Sequence, residues 1–212
     1  MKKVILTIFA LAAFGTASAQ IKFGVKGGIN LSTITGDVSD DITMKPGAHV
    51  GGFVKIGLMD KLFLQPELLF SMQGAKTKDY WSYGGGEFER EENNYNLSYI
   101  NIPIMGRYYI VKGFNVEFGP QFGILVSAKS KYEYTETFDN GFGLETYSES
   151  RTIDIKDSLK TIDVGLNIGA GYDFNDHMGV GLRYNFGLTD IDDFAFSETK
   201  NSVLSASFLY TF

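Results

Sequence analysis

The chain has 212 residues, 25 acidic against 19 basic, a formal net charge of -6 and no cysteine. The missing cysteine excludes a disulfide framework, a thiolate metal site and a Cys nucleophile, and the acidic balance lacks the basic footprint that nucleic acid requires. With 44% hydrophobic residues, 25 Gly, 15% aromatics and 4 Pro, the composition excludes a disordered chain and favours strands over helices.

Residues 1–19 read as an address. Lys2 and Lys3 precede an apolar run over 4–14, and Ala17-Ser18-Ala19 forms a small-residue cleavage site. The run is too short for a membrane-spanning helix, which needs about 20 residues. The expectation is a cleaved signal peptide over 1–19 and one domain over 20–212, exported beyond the inner membrane of a Gram-negative-type cell.

Eight segments then alternate with period two: 21–33, 48–59, 62–75, 95–111, 114–129, 160–174, 178–190 and 202–212. Many reach the ~9–11 residues that a tilted membrane strand needs. In the fifth, Val116, Phe118, Phe122, Ile124 and Val126 oppose Asn115, Glu117, Gly119, Gln121 and Gly123. The sixth and seventh repeat the scheme, greasy on one face and glycine-rich and polar on the other. Long connections alternate with tight turns at Asp60-Lys61, Lys112-Gly113 and Asn175-Asp176. This rhythm predicts an all-β, eight-stranded antiparallel up-and-down transmembrane β-barrel, with short periplasmic turns and long extracellular loops. An even number of strands closes the sheet and leaves no edge in lipid.

An eight-stranded barrel is too narrow for an aqueous channel, so its polar face must satisfy its own charges. Counted from the tight turns, Lys55, Glu67, Arg107, Glu117 and Arg183 fall on that face at nearly one depth, with Lys26 close by. They form a candidate interior ion-pair network, either a register-fixing plug or a gated ion path. Arg107 is expected between Glu67 and Glu117, because the third, fourth and fifth segments are consecutive. Asp163 and Asn167 lie nearer the outer mouth. Tyr172, Phe174, Tyr184, Phe186, Phe208, Tyr210 and Phe212 on the greasy face supply candidate interfacial belts.

Four phrases are familiar together: Ile100-Asn-Ile-Pro-Ile-Met-Gly-Arg-Tyr-Tyr109, Phe118-Gly-Pro-Gln-Phe-Gly-Ile-Leu125, Asp163-Val-Gly-Leu-Asn-Ile-Gly-Ala-Gly-Tyr172 and Leu182-Arg-Tyr-Asn-Phe-Gly-Leu-Thr-Asp-Ile191. On these, the chain over 20–212 resembles the PorT-like family of small outer-membrane β-barrel proteins. The resemblance implies an eight-stranded barrel in the outer membrane. The family's namesake is an accessory of protein secretion, and the family has no shared catalytic motif to carry over. The closing Phe208-x-Tyr210-x-Phe212 resembles the terminal signal read by the outer-membrane assembly machinery, with Phe212 as its last residue.

Other chemistry is sparse. His49 and His177 fall at opposite rims and cannot share a metal, and His49 reads as a solvated rim residue. Gly84-Gly85-Gly86 lacks the Lys-Ser/Thr and helix of a phosphate loop. Asp37, Asp40 and Asp41, and Asp190, Asp192 and Asp193, are oxygen-rich but lack the spacing of a calcium loop. Tyr80, Trp81, Tyr83 and Phe88 lie in the second long connection and could stack on a glycan or protein partner. The reading is a non-enzymatic outer-membrane barrel without a cofactor. Its role is structural or exerted through its outer loops, as an accessory of secretion or the envelope. Its partners are lipid, the assembly machinery and an unidentified envelope protein. The alternatives are a small porin, a soluble lipocalin-like carrier with the greasy face inward, and a barrel hydrolase.

Overall fold

The computed structural model describes residues 21–36, 42–192 and 199–212. The expected leader over 1–19 and the acids Asp37, Asp40, Asp41 and Asp193 lie outside the described residues. Nine strands follow in chain order: β1 (Ile21–Gly36), β2 (Ile42–Met59), β3 (Leu62–Gly84), β4 (Glu87–Tyr109), β5 (Phe114–Asp139), β6 (Leu144–Asp154), β7 (Ile162–Asp173), β8 (Met178–Gly187) and β9 (Thr199–Thr211). All pairings are antiparallel, and the sheet order β4-β3-β2-β1-β9-β8-β7-β5 closes through a β4–β5 ladder. Eight strands therefore form the ring, as the alternation and connection lengths predict. Among the described residues no helix is long and apolar enough to cross a membrane.

The inside and outside of the ring follow the period-two pattern. Phe118, Ile168, Leu182 and Phe208 are 49–60% exposed. Lys26, Glu67, Arg107, Glu117, Asn167 and Arg183 are buried. The greasy face is thus the outer one, which removes the lipocalin-like alternative. A band of apolar side chains around a closed ring is what a hydrocarbon solvent stabilises, because every ladder hydrogen bond is satisfied within the sheet. Tight coiling of so small a ring needs glycine on the inner face. A Cβ on Gly28 would meet the Ala206 carbonyl oxygen at 1.9 Å, and one on Gly51 would meet that of Leu68 at 1.9 Å.

The structure extends the strands well beyond the predicted segments at the long-connection end. Residues 76–94, expected as a loop, form the upper halves of β3 and β4, closed by a turn at Gly85 and Gly86. Most of 130–159 is likewise strand: β5 continues to Asp139 and β6 returns to Asp154. These parts carry charge on both faces, so they lack the apolar periodicity that marks a half-buried strand. Cross-strand pairing with the barrel ladder below holds them extended instead, with Lys78 opposite Glu92 and Tyr80 opposite Arg90. Near residue 128, β5 changes its partner on one side from β7 to β6. The upper parts of β3, β4 and β5 with β6 thus form a four-stranded sheet standing above the ring.

Candidate functional site

The interior is built in layers from the short-turn end upward. At the lowest layer Asp173, at the end of β7, gathers three groups. Lys55 Nζ reaches its Oδ2 at 3.2 Å, Arg107 Nη2 reaches its Oδ1 at 3.4 Å, and the Tyr109 hydroxyl donates to Oδ2. Lys55 also lies 4.9 Å from the Phe63 ring centroid and 4.8 Å from that of Tyr109, close enough for cation–π attraction.

The next layer is centred on Arg183, not on Arg107. Its Nη1 and Nη2 donate to the two oxygens of Glu67 at 2.8 and 2.9 Å, and its Nε donates to Glu117 Oε1 at 2.7 Å. Lys26 Nζ adds a second cation 3.3 Å from Glu67. This corrects half of the expected flanking of Arg107: Glu117 does lie opposite it across β4 and β5 within ion-pair distance, but Glu67 is taken by Arg183 and Lys26. Arg107 Nη1 donates to Gln65 Oε1 at 2.8 Å, and its Nε and Nη2 to Asn115 Oδ1 at 3.2 and 3.0 Å. Glu117 stands 3.8 Å away. Two glycines of β7 leave room for these side chains. A Cβ on Gly169 would meet Glu117 Oε1 at 2.8 Å, and one on Gly171 would meet Asn115 Oδ1 at 2.9 Å.

Above this layer lies an array of histidine, amide and hydroxyl side chains. His49 is 6% exposed and bonds Asn30 Oδ1 through Nδ1 at 2.7 Å and Ser207 Oγ through Nε2 at 2.9 Å. The expected solvated rim histidine is therefore an interior residue. Its strand runs farther outward than the period-two segment indicated, so position 49 lies within the ring. The order Ser–His–Asn is that of a hydrolytic triad, and sequence spacing concealed it because the three residues come from β9, β2 and β1. An acyl substrate, however, needs space about 3 Å from the nucleophile. The cavity beside His49 measures about 30 Å³, room for a few water molecules at most. The geometry supports a polar bridge between strands.

Toward the long-connection end Leu97, Tyr99, Leu125, Ala128 and Ile191 form an apolar cluster, with Ile34, Ile155 and Leu159 against them. The Tyr99 hydroxyl and Asp163 Oδ2 accept from Asn201 Nδ2 at 3.2 and 3.0 Å. On the sheet above, Tyr80 and Phe88 stack at 5.7 Å, while Tyr80, Trp81 and Tyr83 remain 44–62% exposed. Glu92 gathers Arg90 at 2.6 Å, Lys78 at 3.7 Å and Lys76 at 3.8 Å. Burial works against its ionisation, but the Arg90 hydrogen bond and the attraction of Lys78, Arg90 and Lys76 prevail, so its carboxyl lies below the ordinary carboxylate range. Among the described residues no group of three or more His, Asp or Glu is placed to hold a metal ion.

A family model described as outer membrane protein beta-barrel domain matches residues 16–193. The chain belongs to this family. Membership of the outer membrane protein beta-barrel domain family agrees with the closed ring and its apolar outer band, and it points to the outer membrane. Solved structures similar to the chain include Ail, the attachment invasion locus protein of Yersinia pestis, crystallised with a heparin analogue. Ail is 12% identical, with 91% of this chain and 99% of Ail covered, at a TM-score of 0.43. Neisserial surface protein A is 12% identical, with 92% and 99% covered, at 0.48. The outer membrane protease OmpT of Escherichia coli is 13% identical, with 92% and 96% covered, at 0.37. No curated protein matches the chain in sequence.

Proposed function

We propose that this outer membrane β-barrel domain is a plugged, non-enzymatic anchor that carries an upright recognition sheet on the cell surface. In this reading residues 1–19 are a cleaved leader and 20–212 one barrel domain, assembled through the Phe212 signal. Its role is that of an accessory to the envelope or to secretion, as in PorT-like proteins, acting on an envelope partner. The observation that carries the reading is the Arg183 guanidinium, which crosses the ring from β8 to Glu67 on β3. In the ring order these are opposite strands. A cation bonded to both walls obstructs a water path along the axis, so in this reading the interior serves rigidity, and recognition falls to what stands above it.

Conductance in planar bilayers tests the plug. The wild-type chain is expected to give no stable single-channel steps. Arg183→Ser combined with Glu67→Ser, which clears the diameter, is expected to give small ohmic steps. Steady conductance from the wild type would favour the small-porin reading instead.

A further inference from the structure

The upright sheet ends on a strand with a free side. All eleven residues of β6 are exposed, and among the described residues only β5 pairs with it. The β5–β6 ladder keeps one register from Asp139–Leu144 to Lys129–Asp154. Its two ends show the bonding phase: Asn140 N–H donates to Gly143 O at 3.1 Å, and Ile155 N–H to Ala128 O at 3.0 Å. Bonding pairs recur at every second residue of an antiparallel ladder. The odd-numbered amides of β6 therefore face β5, and those of Leu144, Thr146, Ser148, Ser150 and Thr152 face away. Such a row of unpaired donors and acceptors is a template for another strand.

The sequence of this strand says which other strand fits. Folded on a two-fold axis at Ser150, the strand places Glu149 opposite Arg151 and Tyr147 opposite Ile153, each twice by symmetry. Ser148 then meets Thr152. The charged and aromatic pairs fall at non-hydrogen-bonded sites, where opposing side chains approach most closely. Charges on an edge ordinarily repel an incoming strand. Here two opposite charges, two residues apart, match the same edge of another copy.

We propose that β6 pairs antiparallel with β6 of a second copy standing on a facing membrane, joining two cells of the same kind. This deepens the recognition reading above and rests on it. The facing orientation follows from symmetry. Two copies in one membrane share a two-fold axis along the membrane normal, which would make their upright strands run the same way. Copies on opposed membranes share an in-plane axis, which makes them antiparallel, as an isologous edge pair must be. One such contact is small and weak, and many in parallel hold two surfaces together.

Phosphatidylcholine vesicles carrying the folded full-length barrel provide the test, with heat-modifiable migration checking that each variant is folded. Wild-type vesicles are expected to cluster. Glu149→Arg vesicles, and separately Arg151→Glu vesicles, are expected to cluster on the order of tenfold less, because avidity multiplies each weakened contact. Mixing the two restores clustering, since positions 149 and 151 are then both basic on one copy and both acidic on the copy they meet. Ser150→Cys gives disulfide-linked dimers between differently tagged vesicles, while Ser148→Cys, about 13 Å from its own copy at ~3.4 Å per residue, does not. Absence of wild-type clustering, failure of the mixture to recover, or crosslinking at 148 rather than 150 would overturn the proposal. The plug is read separately by conductance, so either idea can fail while the other stands.

Discussion

Arg183 and Glu67 bridge the ring between opposite strands through two hydrogen bonds of 2.8 and 2.9 Å. Both residues are buried, and Arg183 also holds Glu117 at 2.7 Å. Removing Arg183 leaves Glu67 with Lys26 and leaves Glu117 with Arg107 at 3.8 Å. A buried pair broken on one side costs on the order of 3–5 kcal/mol. Arg183→Leu is therefore expected to destabilise the barrel by about that amount, and more than Arg107→Leu, whose shortest bonds go to the neutral Gln65 and Asn115 and whose acidic partners Asp173 and Glu117 keep Lys55 and Arg183. Arg183→Met with Lys26→Met, Glu67→Gln and Glu117→Gln should cost less than Arg183→Leu alone, because the partners are neutralised together and no member of the cluster is left as a lone charge. Urea unfolding in lipid vesicles gives the order, and Arg107→Leu proving the costlier single change would contradict it.

The ring was legible in the sequence because lipid on one side and a packed polar core on the other impose strict alternation. The five interior charges Lys55, Glu67, Arg107, Glu117 and Arg183 were legible for the same reason. Their pairing was not. Neighbour-by-neighbour reasoning sends Arg107 to Glu67 and Glu117, yet in so narrow a ring a long side chain reaches the opposite wall, and Arg183 takes both acids. Three interior partners, Gln65, Asn115 and Asp173, became apparent only with the register. His49 shows the same limit: its hydrogen bonds to Asn30 and Ser207 join β1, β2 and β9, a closure that no local pattern encodes. The upper sheet was invisible because charged residues on both faces erase the period-two signal.

Orientation is open to direct labelling, since the natural chain has no cysteine. Gly85→Cys and Gly141→Cys sit at the tips of the two upright hairpins, in backbone with nothing within 4 Å of a Cβ. Both glycines hold a positive φ, so each substitution carries local strain, but at tips away from the ring ladder. A membrane-impermeant maleimide on intact cells is expected to label both. Lys112→Cys, in the short turn between β4 and β5, is expected to react only after the outer membrane is opened. Labelling at 112 in intact cells would invert the assignment.

The upright sheet carries its own pH dependence through Glu92. Its carboxyl is held below the ordinary carboxylate range in the folded sheet, so its contribution is present above the unfolded-state pKa and is lost as pH falls through the folded-state value. Acidification should therefore loosen the upper β3–β4 hairpin while the ring below persists. Hydrogen exchange of amides in 77–92, corrected for intrinsic rates, reads this directly. Glu92→Gln is expected to exchange faster at neutral pH and to lose much of the acid dependence. An unchanged exchange profile in that variant would show that the Lys76, Lys78 and Arg90 contacts do not hold the hairpin.

The Ser207–His49–Asn30 chain separates a structural from a hydrolytic barrel. A catalytic serine polarised by histidine reacts with a fluorophosphonate when its hydroxyl can be reached. Here Ser207, His49 and Asn30 are all buried, and the neighbouring cavity of about 30 Å³ admits no acyl group. The folded barrel is expected to remain unlabelled by fluorophosphonate, with no ester hydrolysis sensitive to His49→Ala. The same substitution is expected to lower stability by about 1–3 kcal/mol, because it strands the Asn30 and Ser207 side chains in the interior. His49→Gln, which can keep one of the two bonds, should recover part of that loss. Covalent labelling at Ser207, abolished by His49→Ala, would instead mean that the interior opens and that the array works as a nucleophile and its base.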